Sequence, residues 1–183
     1  MAHDVGTGTR YGVIESLHLH PAQTTKRGEL AKPMSEVREM SLVKDAGIKG
    51  NTRYFRAPTP QGKVFKRQMT LISRAELSEH EAELKESDRG DVKLAPGLVR
   101  SNVELSGDLV LGDHVGSELV IVSPDADTDV KARIQVVEFR KPCWKMDSIC
   151  DGLQSQMERG RQGVIAMVVE GGTIRVGDRV YVA

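Results

Sequence analysis

The chain has 183 residues, of which 39% are hydrophobic and 28% are charged, a composition typical of a soluble, globular protein of about one domain. Lys plus Arg and Asp plus Glu both number 26, so the formal net charge is zero. This balance excludes a whole-surface attraction to nucleic acid or membrane, although it is compatible with a local basic pocket. No apolar signal stretch or membrane-length run occurs, so we expect a cytoplasmic protein with reduced thiols.

The N-terminal segment combines a polar tail with a first strand. Met1–Arg10 is glycine-rich and is predicted to form a flexible tail before a single domain over residues 11–183. In the predicted first strand, Val13, Leu17 and Leu19 share one alternation, and His18 and His20 share a strand face. The two histidines could bind a metal, but no third ligand is spaced to join them. This favours ordinary histidines on a polar face.

A polar loop with two cations follows Pro21. It contains Thr24, Thr25, Lys26 and Arg27, and it has two interpretations. It is either a solvated loop or an anion-binding rim, in which hydroxyls, backbone N–H groups and cations converge on a phosphate. The sequence leaves both interpretations open.

Short apolar runs separated by glycine, proline and aspartate recur along the chain and predict β-strands. Two segments have helical spacing instead: one follows the capping box Ser73–Glu76, and the other is Ser148–Arg159. Many short strands with few helices predict an α+β fold that is mainly β, built as a closed or nearly closed barrel. The predicted strands are Tyr11–Leu19, Val37–Lys44, Arg67–Ile72, Leu98–Leu105, Leu109–Leu111, Glu118–Val122, Ala132–Phe139, Gly163–Val169 and Arg175–Val182.

One of the two cysteines, Cys143, lies between a predicted strand and a predicted helix. Arg140 and Lys141 precede it, and nearby cations and a helix N-terminus both favour a thiolate over a thiol. Pro142 fixes its own φ and stiffens the approach to the sulfur. The alternative is a small, buried and inert cysteine, and this segment alone does not decide between the two.

The order and spacing of the motifs resemble those of a stand-alone MOSC domain, the module also found at the C-terminus of molybdenum cofactor sulfurases. The resemblance extends from about Tyr11 to Val182. It rests on a glycine-rich bend, a basic motif near the middle of the chain, the cysteine segment and a set of later glycines. These are Gly47-Ile48-Lys49-Gly50, Arg67, Gly97, Arg100-Ser101-Asn102-Val103, Gly107, Gly112, Gly116, Pro142-Cys143, Gly163, Gly171-Gly172 and Gly177-Asp178.

The resemblance implies a barrel related to that of pyruvate kinase and a molybdenum–pterin cofactor (molybdopterin) whose metal or sulfur engages Cys143. It also implies that the motif Arg100-Ser101-Asn102 helps to hold the cofactor, as in the mitochondrial amidoxime-reducing component. An arginine fork can grip a phosphate, and an asparagine can donate and accept at a pterin edge. Further cofactor-binding candidates are Lys26, Arg27, Arg67, Arg140 and Lys141. The family also carries an association with pyridoxal phosphate.

The chain departs from the family pattern at two positions. Asn51 stands where many members carry an acid, which puts any role of that acid in doubt. Gln23 stands where many members carry a lysine, so Lys26 or Arg27 would have to replace that lysine at the cofactor phosphate.

Three functions are compatible with these residues. The first is a small oxidoreductase that reduces N-hydroxylated compounds; because the chain has no flavin, nicotinamide or iron–sulfur motif, its electrons come from a separate donor protein. The second is a carrier that holds a persulfide or the cofactor on Cys143 and delivers it to an acceptor protein. The third is a thiol switch between Cys143 and Cys150, which ranks last because helical rise would separate them by about 10 Å.

Overall fold

The computed structural model describes residues 10–21, 26–30 and 32–183, which contain eleven strands and two α-helices. The predicted tail, except for Arg10, lies outside the described residues, as do Gln23, Thr24 and Thr25. The helices are α1 (Arg74–Glu86) and α2 (Leu153–Met157). The strands are β1 (Tyr11–Leu19), β2 (Ser35–Val37), β3 (Glu39–Val43), β4 (Gly47–Ile48), β5 (Met69–Ser73), β6 (Val103–Gly107), β7 (Glu118–Ser123), β8 (Ala126–Phe139), β9 (Val164–Glu170), β10 (Gly172–Arg175) and β11 (Arg179–Val182).

Seven strands close into a mixed β-barrel, in the order β11, β7, β8, β9, β5, β6 and β1, and β1 pairs back with β11. Among the described strands only β5 and β6 pair in parallel, and α1 lies in the connection between them. β2 extends the sheet beside β1, while β10, β3 and β4 form a separate small sheet. The predicted mainly β fold with a closed barrel is confirmed, whereas the relation to pyruvate kinase stays a prediction.

Strand β5 is buried on both faces and separates two apolar clusters. Leu71 belongs to the cluster that fills the barrel, while the next residue, Ile72, belongs to a smaller cluster outside it. The outer cluster contains side chains from both helices and also Val99 and Met146. Because Val99 precedes Arg100 and Met146 follows Cys143, this packing holds both candidate motifs against the same side of the barrel.

Strand β1 has its predicted bounds but not its predicted alternation. Ile14 and Leu17 are fully buried, whereas Val13 is only half-buried. The cause is a register shift between Ile14 and Ser16 in the pairing with β6, because a β-bulge changes which residues face the core. His18 and His20 are both buried because other segments cover them: His18 Nδ1 lies 3.2 Å from the carbonyl oxygen of Ser101, and the His20 ring packs against Tyr54. Their predicted placement on a polar face is therefore wrong.

The predicted helix over Ser148–Arg159 is shortened to the five residues of α2. Gly152 stands at its N-cap with φ of 77°, a left-handed conformation that interrupts any helical path from the preceding turns. The predicted strand Leu109–Leu111 is also wrong, because a 3₁₀ helix begins at Leu111. In the described part of the chain, neither helix is long and apolar enough to cross a membrane.

Candidate functional site

A cleft around Cys143 collects side chains from five separate segments of the chain. It encloses a cavity of about 110 Å³. We call it the cationic cleft. Its lining residues are His20, Arg53, Tyr54, Arg67, Val99, Arg100, Arg140, Lys141, Pro142, Cys143, Lys145 and Met146.

The charged residues of the cationic cleft are all positive. Six of its described residues are arginine or lysine, and none is aspartate or glutamate. Cys143 is exposed, so its sulfur can meet a ligand. A concave site with this excess of positive charge favours an anionic ligand.

Arg140 is the most deeply buried of these cations, with 3% of its surface exposed. Its Nη1 donates to the carbonyl oxygen of Val99 at 2.8 Å, but Nε and Nη2 have no hydrogen-bond partner among the described residues. Burial, and then the charge of Arg67, lower the pKa of Arg140 to about 10, so it is still a cation at neutral pH. A buried cation with unpartnered N–H groups is costly unless a ligand pairs with it.

Arg100 occupies a backbone conformation that favours glycine, with φ of 63°. Its N–H closes a turn by donating to the carbonyl of Gly97 at 3.2 Å, and its Nη1 donates to the carbonyl of Lys32 at 3.2 Å. Left-handed backbone costs a non-glycine residue roughly 1–2 kcal/mol. Burial, followed by the charge of Arg53, lowers the pKa of Arg100. Strain of this kind, kept at a cleft residue, is typical of functional sites.

An aromatic side chain, Tyr54, organises one wall of the cleft. The guanidinium of Arg67 lies 4.5 Å from the Tyr54 ring centroid, and the His20 ring meets the Tyr54 ring edge-on at 5.1 Å. Arg67 Nε is buried and has no partner among the described residues. Cation–π contact fixes the guanidinium while leaving N–H groups for a ligand.

His20 is held by Asn51, the residue that departs from the family pattern. Asn51 Oδ1 accepts from the backbone N–H of His20 at 3.0 Å and lies 2.9 Å from its ring Nδ1. Burial is the largest of the effects that lower the pKa of His20 to about 4; Asn51 opposes it, and the charges of Arg100, Arg53 and Arg67 add to it. The imidazole is therefore neutral at pH 7.

Ser101 and Asn102 lie behind the cleft rather than on its wall, and both are fully buried. Asn102 Oδ1 accepts from the N–H and the hydroxyl of Thr70, both at 3.1 Å, and its Nδ2 donates to the carbonyl of His18 at 3.0 Å. Ser101 Oγ donates to the carbonyl of Thr70 at 3.1 Å. The predicted contact of these two side chains with a cofactor would require these bonds to break, and their observed contacts join β1, β5 and β6.

Substitution of Asn102 by alanine should therefore lower stability. The variant leaves buried groups of Thr70 and His18 without their partner, which costs on the order of 3 kcal/mol in the free energy of unfolding. Urea unfolding at neutral pH measures this loss. A change below about 0.5 kcal/mol would contradict the scaffold role.

Lys26 and Arg27 are exposed and do not line the cleft. The backbone N–H of Lys26 donates to Glu29 Oε2 at 3.0 Å, which closes a local turn. The structure therefore brings Arg67, Arg100, Arg140 and Lys141 to Cys143, but not Lys26 and Arg27. The predicted role of Arg67, Arg100, Arg140 and Lys141 in binding a cofactor stays a prediction.

The setting of Cys143 differs in one respect from its prediction. Its carbonyl accepts from the N–H of Met146 at 2.8 Å in an irregular turn, and α2 begins only at Leu153. The predicted helix N-terminus next to the sulfur is thus absent, whereas the two cations that precede Cys143 in the sequence, Arg140 and Lys141, do line the cleft. Cys150 is half-buried outside the cleft, with Sγ 4.0 Å from the carbonyl of Arg89.

A second and larger cleft, of about 580 Å³, is formed where α1 and α2 meet. Its lining mixes the carboxylates of Glu83, Glu86 and Asp151 with Arg89 and Arg159, and it does not include Cys143. Opposite charges of this kind neutralise one another at a solvated surface. We therefore take the cationic cleft as the candidate site despite its smaller volume.

The family model for the MOSC domain matches residues 18–181. The chain belongs to the MOSC domain family. This family is linked to molybdenum cofactor binding. The association with pyridoxal phosphate gains no support from the described residues.

Several crystal structures share this MOSC fold. The YuaD protein of Bacillus subtilis is similar with a TM-score of 0.71 at 18% identity, over 94% of this chain and 95% of that one. YiiM from Escherichia coli matches with a TM-score of 0.59 at 18% identity, over 95% of this chain and 69% of that one. YiiM from Geobacillus stearothermophilus gives 0.60 at 17%, over 94% and 75%. No curated protein sequence matches the chain.

The cationic cleft fits the cofactor that the MOSC family implies. A molybdenum–pterin cofactor has a phosphate, for which the unpartnered N–H groups of Arg67 and Arg140 are suitable donors. It also has a metal for which a thiolate is a suitable soft ligand, and Cys143 is the exposed cysteine of the cleft.

Proposed function

We propose that this MOSC protein binds the molybdenum cofactor in the cationic cleft and reduces N-hydroxylated compounds with electrons from a separate donor protein. The observation that supports it is the convergence of six cations on one exposed cysteine, with no carboxylate among the described lining residues. This arrangement suits an anionic group that also has a soft metal centre.

The arginines of the cleft hold the phosphate. Arg140 and Arg67 contribute N–H donors that have no partner among the described residues, and Arg100 lies beside them. A planar guanidinium can offer parallel N–H groups to phosphate oxygens, which an ammonium cannot. Pairing these buried cations with a ligand removes the penalty of leaving them uncompensated, so part of the affinity comes from the cleft itself.

Cys143 supplies the metal ligand. Its neighbours Lys141 and Lys145 line the same cleft. When bound, the cofactor supplies redox chemistry at molybdenum. The remaining walls, formed by Tyr54, Val99 and Met146, limit the space for water beside that centre.

The reaction balances with a donor of electrons. An N–O bond of the substrate breaks, an electron pair and protons are taken up, and an amine and water leave. Since the sequence has no flavin, nicotinamide or iron–sulfur motif, the electron pair has to come from a second protein.

A carrier function is the second candidate, and the exposure of Cys143 favours it. An exposed sulfur can be reached by an acceptor protein, which direct transfer of a persulfide or of the cofactor requires. In this case the cationic cleft retains the cargo until the acceptor removes it.

Turnover with an artificial reductant separates the two candidates. We expect protein purified from a molybdate-supplied host to contain molybdenum and pterin, to be inert toward hydroxylamines with NADH alone, and to reduce them with reduced viologen. A loaded protein that stays inert with viologen across a panel of N-hydroxylated substrates would contradict the reductase. Transfer of labelled sulfur or cofactor to an acceptor enzyme would then establish the carrier.

A further inference from the structure

His20 differs in chemistry from the rest of the cationic cleft. Six of the described lining residues are cations that only donate hydrogen bonds, whereas a neutral imidazole has a nitrogen that accepts. Several backbone carbonyls of the lining are already occupied. Those of Val99 and Cys143 accept at 2.8 Å from Arg140 Nη1 and from the Met146 N–H, respectively. An acceptor is therefore scarce in this cleft.

The contact with Asn51 determines which ring nitrogen of His20 is the acceptor. The backbone N–H of His20 donates to Asn51 Oδ1 at 3.0 Å, which identifies that atom as the amide oxygen. The same oxygen lies 2.9 Å from ring Nδ1, so Nδ1 has to carry the proton. Nε2 is left with its lone pair, and no described residue bonds to it.

The identity of residue 51 maintains this state. Asn51 is fully buried, and its Nδ2 has no partner among the described residues. Its contacts with His20 therefore use only the amide oxygen. An aspartate could accept the same two N–H groups. It would also place a negative charge beside the ring and favour the imidazolium. Because the side chain of residue 51 is a neutral amide, it does not offset the charges of Arg53, Arg67 and Arg100, which help to keep His20 uncharged.

We propose that His20 Nε2 accepts a hydrogen bond from the N–O–H group of the substrate and thereby makes the cleft select hydroxylamines over N-oxides. The inference rests on the proposed function, since it specifies the substrate class of the same site. A hydroxylamine oxygen carries a proton that a lone pair can accept. An N-oxide oxygen carries none and is negatively polarised, so it is repelled by Nε2 although the surrounding cations attract it.

The first experiment compares a dialkylhydroxylamine with a trialkylamine N-oxide of similar size, using viologen-reduced, molybdenum-loaded protein. We expect the ratio of their kcat/KM values to favour the hydroxylamine. His20→Phe keeps a ring beside Tyr54 but removes the acceptor, and should lower this ratio by about tenfold. His20→Gln can donate to Asn51 and still accept, so it should restore most of the ratio. An unchanged ratio in folded, loaded His20→Phe protein would overturn the proposal.

Asn51→Asp is the matched variant, because it leaves His20 in place and changes its charge. It raises the pKa of His20, so the preference for the hydroxylamine should fall as the pH is lowered and Nε2 becomes a donor. The parent protein should show no such fall, because its His20 is neutral above a pKa of about 4. Parallel pH profiles for both proteins would count against His20 as the discriminating residue.

A measurement that does not use turnover separates this inference from the proposed function. The ¹⁵N resonances of the His20 ring in cofactor-free protein should show a protonated Nδ1 and a bare Nε2. The hydroxylamine should shift the Nε2 resonance, and the N-oxide should not. If viologen drives no reduction but this shift occurs, the reductase fails and the selection by His20 stands. If reduction occurs and neither compound shifts Nε2, the selection by His20 fails and the reductase stands.

Discussion

Cys143→Ser protein is expected to lose its bound molybdenum, and with it viologen-driven turnover, while its melting temperature stays close to that of the parent. Cys143 is exposed, so the substitution removes little packing. A serine hydroxyl stays protonated at neutral pH, and its oxygen is a harder donor than a thiolate. Metal analysis of the purified variant, alongside a thermal melt, measures both effects.

Cys150→Ser is the matched control for this experiment. Cys150 is half-buried outside the cleft, and its Sγ lies near the carbonyls of Arg89 and Asp151, which a hydroxyl can also contact. We expect the parent's molybdenum content in this variant. Normal molybdenum in Cys143→Ser would reject the role of Cys143 as a metal ligand, and loss in both variants would indicate an indirect effect on the fold.

Arg140→Met should change stability and cofactor retention in opposite directions. Burial lowers the pKa of Arg140 from its ordinary value to about 10, which means that the folded protein disfavours this charge by roughly 3 kcal/mol. Replacing the cation by an apolar side chain of similar length should raise the free energy of unfolding of the cofactor-free protein by about 1–3 kcal/mol. Loss of the hydrogen bond from Arg140 to the Val99 carbonyl makes this gain smaller. The same change removes N–H donors from the phosphate site, so retention of the cofactor should fall by about a hundredfold.

Urea unfolding of cofactor-free protein and dialysis of loaded protein measure these two effects separately. Arg133→Met is the matched control, because Arg133 lies on β8, the strand that Arg140 directly follows, but forms ion pairs with Glu118 and Glu170 at a partly exposed surface. That variant should change stability by less than about 1 kcal/mol and leave retention unaltered. If Arg140→Met were destabilised and kept its cofactor, Arg140 would be a structural cation.

The fold could be predicted where local chemistry determines it. The box of Ser73 and Glu76 correctly starts α1, and the turn signal Gly177-Asp178 interrupts the predicted strand Arg175–Val182, so that β11 begins at Arg179. The bulge near Ser16 and the left-handed cap at Gly152 could not be predicted, because both depend on pairing and packing with distant segments. The alternation of apolar residues in a sequence does not show where a strand contains the extra, unpaired residue of a β-bulge.

The candidate site could be predicted in part for the same reason. Arg140 and Lys141 are close to Cys143 in the sequence, so the sequence alone predicts that positive charge lies near its sulfur. Tyr54 and Lys145 were not candidates, and His20 was considered only as a metal ligand and set aside. Only the folded barrel brings His20 and Tyr54 to the cysteine. The positive φ of Arg100 has no signal in the sequence, because most left-handed residues are glycine.

The pairing of β1 with β11 determines when, relative to synthesis of the chain, the barrel can close. Tyr11 lies opposite Tyr181, so one seam of the barrel joins strands that are almost the whole described chain apart. During synthesis, the edges of β1 and β7 that pair with β11 stay unpaired until β11 has left the ribosome. Unpaired strand edges are prone to incorrect pairing. Any ligand that requires the closed barrel can therefore bind only once β11 has paired with both β1 and β7.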